Sequence, residues 1–219
     1  MTAHDEHEAA LTTLPRYPPR EAGGGVPHTG RRLRVVGVSG SLHEPSRTAA
    51  LVSTILGAIQ DRGDFTTELI EVAALGSGFA GALRRSDVAP MVEAALRAIE
   101  SADLLVVASP VYRASFTGLF KHLFDFIGQY ALVGTPVLLA ANGGGERHAL
   151  IIDHQLRPLF GFFQSLTLPL GVYASNSDFI DHRLSSPDIM RRVAQAVDRA
   201  LPLVEQAAFT RRPDYIAAW

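Results

Sequence analysis

Residues 33–60 read LRVVGVSGSLHEPSRTAALVSTILGAIQ, and two periodicities meet inside that run. Leu33 to Val38 is a short apolar, β-branched segment ending in small residues, the pattern of a strand buried on both faces of a parallel sheet. Ser46 then offers the hydroxyl of a helix N-cap, and Leu51, Ile55 and Ile59 recur on one helical face as far as Gln60. A buried strand that feeds a helix through a Gly- and Ser-rich loop is the opening of a β-α-β unit.

Working outward, the alternation repeats. Thr66 to Val72 reads as a second strand, and Ala73 to Pro90 is Gly-rich and irregular, with Arg84 and Arg85 inside it. Met91 to Glu100 is a helix, and Leu104 to Ala108 is a third strand, apolar throughout. Ser115 to Gly128 is a strong helix, because Phe116, Leu119, Phe120, Leu123, Phe124 and Ile127 keep helical spacing. Pro136 to Ala141 makes a fourth strand, Gly143 to Gly145 a turn, and Glu146 to Phe163 a helix. Leu168 to Tyr173 makes a fifth strand and Pro187 to Gln206 a closing helix. The fold class is therefore α/β, a doubly wound parallel five-stranded sheet. Right-handed crossovers leave few topologies, and five strands fit the flavodoxin-like order 2-1-3-4-5.

The domain spans residues 32–208. Residues 1–31 hold Pro15, Pro18, Pro19, Gly23, Gly24, Gly25 and Pro27, a composition that breaks helices and strands, so they read as a flexible tail. Residues 209–219 read as a carboxyl-terminal tail.

Twenty basic against twenty-two acidic residues leave a net charge of -2. That balance carries no basic field for nucleic acid or anionic lipid, and it is too mild for an acidic electron carrier that docks by charge. The chain has no cysteine, which excludes disulfides, thiolate metal sites, iron–sulfur clusters and a cysteine nucleophile. The histidines are scattered without ligand spacing, so no metal site is expected. No apolar run reaches the roughly 18 residues of a membrane span, and early Asp5, Glu6 and Glu8 argue against a transit peptide. The expectation is a cytoplasmic protein.

In an open parallel sheet, ligands sit beyond the carboxyl ends of the strands at the switch point. Three loops there have unusual chemistry. The first, Gly37 to Thr48, supplies Ser39, Ser41, Ser46, Thr48, the cation Arg47 and a helix N-terminus, which together suit a phosphate. It lacks the lysine of a P-loop and the G-x-G-x-x-G of a dinucleotide fold, so a single phosphomonoester fits best. The second, Ser109 to Ser115, places Pro110, Val111 and Tyr112 where a planar ring could lie. The third, Asn142-Gly143-Gly144-Gly145-Glu146, lets backbone N–H groups approach a carbonyl-rich ring edge. Phosphate, planar ring and polar edge together describe FMN.

Gly40-Ser41 with Ser46-Arg47-Thr48, and then Pro110-Val111-Tyr112-Arg113-Ala114-Ser115-Phe116-Thr117-Gly118-Leu119-Phe120-Lys121, resemble the NAD(P)H-dependent FMN reductases. Gly143-Gly144 and Asp153-His154-Gln155-Leu156-Arg157-Pro158-Leu159 extend the resemblance, which covers roughly Arg34 to Ile180. It lies closest to the reductase component of two-component alkanesulfonate monooxygenase systems. The resemblance implies a flavodoxin-like fold, a homodimer or homotetramer, NADH or NADPH as reductant, and reduced FMN passed to a flavin-dependent monooxygenase. By position, Ser39, Ser41, Ser46, Arg47 and Thr48, with Leu42 among them, would hold the phosphate. Pro110, Val111, Tyr112, Arg113, Ala114 and Ser115, with Asn142, Gly143, Gly144 and Gly145, would hold the ring. The long amino-terminal tail is not typical of the family and receives no role from it.

No catalytic residue is expected, since hydride transfer between cofactors needs no protein acid, base or nucleophile. Arg113, Arg84 and Arg85 are cations available to a pyridine nucleotide phosphate, although solvation is the commoner role. Asp181-His182-Arg183 reads as a solvated turn. Pro158 removes a donor and clashes with the carbonyl of His154, so the helix should kink or open a π-bulge there, at a subunit contact by analogy with relatives. The alternative readings are an FMN-retaining quinone or azo-compound reductase and a flavodoxin-like electron carrier.

Overall fold

The computed structural model describes residues 31–209. The two expected tails, 1–31 and 209–219, lie outside the described residues except for Arg31 and Phe209. Strand β1 (Leu33–Ser39) leads through the first loop into helix α1 (Arg47–Gln60). Strand β2 (Phe65–Glu71) runs into a single-turn helix α2 (Val72–Leu75). Helix α3 (Pro90–Glu100), strand β3 (Leu104–Pro110), helix α4 (Gly118–Asp125) and strand β4 (Pro136–Gly143) follow. Next come a π-turn (Ile152–Leu156), helix α5 (Arg157–Phe162), and the strand segments β5 (Leu166–Thr167) and β6 (Val172–Ser175). A hairpin of β7 (Phe179–Ile180) and β8 (Arg183–Leu184) precedes the long helix α6 (Pro187–Phe209), which continues past Gln206.

The sheet is parallel in the order β2-β1-β3-β4-β5, with β6 also pairing with β4. This is the flavodoxin-like order. Side chains on β1, β3 and β4 alternate between two cores, as a period of two demands. Val36, Val38, Leu105, Val107 and Leu139 join α3, α4 and α5 through Leu96, Phe120, Phe124 and Phe160. Val35, Leu104, Val106, Leu138 and Ala140 join α1 and α6 through Leu51, Ile55, Val197 and Val204. Every residue of β4 is buried, which is why its sequence shows a continuous apolar run. Among the described residues no helix is long and apolar enough to cross a membrane.

Four expectations need correction. The fifth strand is two segments, Leu166–Thr167 and Val172–Ser175, parted at residues 168–171 around Pro169 although Leu168 N–H still reaches the Val137 carbonyl (2.9 Å). The freed carbonyls of Leu168 and Gly171 accept instead from Arg157 Nη1 (3.1 Å) and Arg192 Nε (3.0 Å). The helix expected from Ser115 starts at Gly118 with Thr117 as N-cap, since Ser115 and Tyr112 exchange two backbone bonds (2.8 and 3.0 Å) in a tight turn. That helix ends at Asp125, where Phe126 and Ile127 bond carbonyls three residues back. The helix expected from Glu146 begins only as a 3₁₀ turn, Glu146–His148, before the π-turn. The segment 73–90, read as irregular, holds most of α2 and two 3₁₀ turns.

The π-turn itself follows the expectation drawn from Pro158. Having no N–H, Pro158 cannot continue the ladder to His154, and the Arg157 N–H reaches five residues back to the Ile152 carbonyl.

Candidate functional site

The loops after β1, β3 and β4 meet in one cleft at the carboxyl edge of the sheet. Its lining includes Ser41, Ser46, Arg47 and Thr48 from the first loop, Pro110, Val111 and Tyr112 from the second, and Asn142, Gly143 and Gly144 from the third. Pro45, Asn176 and His182 complete it. Ser39, Leu42, Arg113, Ala114, Ser115 and Gly145 stand outside this lining.

The first loop is pinned at its base. Gly40 N–H donates to the Ala108 carbonyl (2.7 Å), and the Gly40 carbonyl accepts from Thr117 Oγ1 (2.7 Å). A Cβ at Gly40 would lie 2.7 Å from the Phe120 ring, so the close approach requires glycine. Ser46 caps α1, its hydroxyl accepting from Ala49 N–H at 3.0 Å, and its own proton is left to donate into the cleft. The first turn of α1 carries no acidic residue, so its positive end is not neutralised from within. Ser41 Oγ is engaged with the backbone of His43, donating to its carbonyl (3.1 Å) and accepting from its N–H (3.3 Å).

Two polar atoms in this loop are buried without a hydrogen-bond partner: Ser39 Oγ and Arg47 Nε. An orphaned guanidinium N–H costs about 1–3 kcal/mol or more unless something accepts from it. At a helix N-terminus, beside Ser46, the acceptor that fits is an anion. Thr48, in contrast, is buried and donates to Asn142 Oδ1 at 2.7 Å, which ties the phosphate-type loop to the end of β4.

The second loop is a two-residue turn with Arg113 at φ 50° and Ala114 at φ 68°, both left-handed. Two non-glycine residues there cost roughly 1–2 kcal/mol each, and the surrounding bonds must hold them. Val111 N–H donates to the Asn142 carbonyl (2.9 Å), and Ser115 Oγ donates to Gln155 Oε1 (3.1 Å) within the π-turn. Tyr112 remains 40% exposed on the rim.

Of the three glycines in the third loop, Gly143 is sterically required. A Cβ there would come within 2.7 Å of Tyr173 Oη and 3.1 Å of His148 Nδ1, whereas nothing lies within 4 Å of one at Gly145. Tyr173 Oη donates to the Gly145 carbonyl (2.6 Å), and burial pushes its phenol above the ordinary value.

Sequence reasoning missed Asn176 and His182. Asn176 follows β6, so the rule that ligands gather beyond strand ends could have found it. His182 carried no comparable signal. Arg85, held open as a nucleotide contact, is instead gripped by Glu93 (2.8 Å) and Glu100 (2.6 Å). Among the described residues, no group of three or more His, Asp or Glu is placed to hold a metal ion.

Comparison with known proteins shows the family of the chain. The sequence profile of the NADPH-dependent FMN reductases matches residues 33–179. The NADH-dependent FMN reductase SfnE of Pseudomonas putida is 54% identical over 171 residues, covering 78% of this chain and 92% of that protein. An FMN reductase (NADPH) of Pseudomonas aeruginosa is 49% identical over 171 residues, with the same two coverages of 78% and 92%. The apo crystal structure of the NADH:FMN oxidoreductase EMOB superposes with a TM-score of 0.67 at 28% identity, covering 83% of this chain and 92% of that one.

Proposed function

The chain belongs to the NADPH-dependent FMN reductase family and is an NAD(P)H:FMN oxidoreductase; on that premise we propose that it releases its reduced FMN to a partner flavin-dependent monooxygenase. The observation that carries the site assignment is the partnerless, buried Arg47 Nε at the N-terminus of α1. With Ser46 and the unneutralised helix end, it fits a flavin phosphate. In this reading Ser39, Ser41, Ser46, Arg47 and Thr48 form the phosphate end, with Leu42 packed behind them. Pro110 to Ser115 and Asn142 to Gly145 form the ring end. Gly143 permits close backbone approach, and Val111 and Tyr112 wall the ring.

Bound FMN supplies the ring that accepts a hydride from the nicotinamide. The protein's part is to hold the two partners at contact distance, and that needs no side-chain acid or base. The cleft's volume of about 250 Å³ falls just under the roughly 300–1,000 Å³ of pockets that bury a small molecule. Exposed Leu150, Phe162 and Leu166 flank the π-turn helix, and they support assembly as a homodimer or homotetramer through that face. The need for NADH or NADPH fits a cytoplasmic protein.

The test is NADH and NADPH oxidation by purified protein, with and without added FMN, while retained flavin is recorded. Colourless protein whose rate saturates with free FMN is the expected result, and it also identifies the preferred nucleotide. Yellow protein that turns over only with a quinone or dye would move the function to an FMN-retaining reductase.

A further inference from the structure

The first three loops do not supply the whole cleft, and the β7–β8 hairpin brings a residue of different chemistry to it. Phe179 and Leu184 pair across this hairpin and are buried in the core that α1 shares with α6. Strand β8 packs directly against α1. Anchored in this way, the hairpin carries its two-residue tip, Asp181 and His182, towards the N-terminal end of α1. His182 there lines the same cleft as Pro45, Ser46, Arg47 and Thr48. Both tip residues are left-handed, at φ 45° and 62°. Such a turn is met without strain by glycine and readily by asparagine or aspartate. The turn therefore has no need of an imidazole. The exposed ring makes no hydrogen bond to any described residue, so its N–H is available to a ligand of the cleft.

We propose that His182 is a phosphate ligand of the flavin site, and that it sharpens the preference for FMN over riboflavin. The assignment rests on reading the cleft as the FMN site. It adds a donor from the far end of the chain to a phosphate cradle otherwise built from one loop.

Flavin fluorescence titrations with FMN and, separately, riboflavin test it on the wild-type protein, His182→Gly, His182→Asp and Asp181→Gly. Glycine and aspartate both suit the left-handed backbone at 182, so the hairpin keeps its shape in either variant. Loss of one donor to a phosphate should raise the Kd for FMN about tenfold in His182→Gly. The carboxylate of His182→Asp should raise it further by repulsion. Riboflavin affinity stays within about twofold throughout, and Asp181→Gly leaves both flavins unchanged, because its side chain does not line the cleft. An unchanged Kd for FMN in His182→Gly, or an equal loss for both flavins, overturns the assignment while leaving the FMN site in place. Wild-type protein that binds the two flavins equally overturns the phosphate reading of the cleft itself, and His182 with it.

Discussion

Gly143 shows how much a single methyl group can decide at this site. The Cβ of an alanine would press on Tyr173 Oη at 2.7 Å and on Val111 Cγ2 at 3.2 Å. Tyr173 cannot swing away freely, since its hydroxyl is bonded to the Gly145 carbonyl. Gly143→Ala should therefore destabilise the protein by about 1–3 kcal/mol, the usual range for overpacking, and weaken FMN binding as well. Gly145 is extended, at φ −175°, with open space around its Cα. Gly145→Ala should stay within about 0.5 kcal/mol of wild type. Urea denaturation of the two variants separates them, and equal losses would show that the loop tolerates a side chain at 143 as poorly or as well as at 145. In the sequence the three glycines are indistinguishable. What sets Gly143 apart is a tyrosine thirty positions on, brought next to it by the pairing of β4 with β6.

At the level of elements, the start of α4 is the joint that holds two loops together. Thr117 Oγ1 accepts from Phe120 N–H (3.3 Å) as the N-cap and donates to the Gly40 carbonyl (2.7 Å). The residue is buried, so losing its hydroxyl leaves both partners unsatisfied. Thr117→Ala should cost about 2 kcal/mol, or roughly 4–8 °C in Tm for a domain of this size, whereas Thr117→Ser should retain most of the stability. Thermal unfolding followed by circular dichroism is the measurement. Helical spacing alone pointed to Ser115, an acceptable cap by residue type. The backbone bonds between Tyr112 and Ser115 took that residue into a turn, and the next hydroxyl in the chain assumed the role. The π-turn has the opposite history. Its cause, Pro158, acts through its own missing N–H, so it was legible without any tertiary information.

For the molecule as a whole, the ion-pair cluster around Arg85 joins the segment before α3 to the helix itself. Hydrogen bonds from Arg85 first, and then from Arg97, hold the Glu93 carboxyl down to about 2 from an ordinary 4.5. Arg85 is raised in turn, mainly by its hydrogen bond to Glu100, and stays charged throughout the accessible range. A depressed carboxylate means that the folded state binds fewer protons than the unfolded one. Its contribution is full above about 4.5 and disappears as the pH falls towards about 2. Wild type should therefore be more stable than Glu93→Gln at pH 7, and the gap should close between pH 4.5 and 2. Parallel unfolding curves down to low pH would check this, and a gap that persists at pH 2 would rule it out. By itself the sequence determined the strands, their order and the phosphate-type loop, because apolar periodicity, N-caps and proline act on their immediate neighbours. Only the tertiary structure decided that the fifth strand breaks around Pro169, that Arg47 is left without a partner, and that His182 reaches the cleft. Each of these depends on which surfaces pack together. The tip of a hairpin is carried to α1 by Phe179 and Leu184, whose burial against that helix no local pattern encodes.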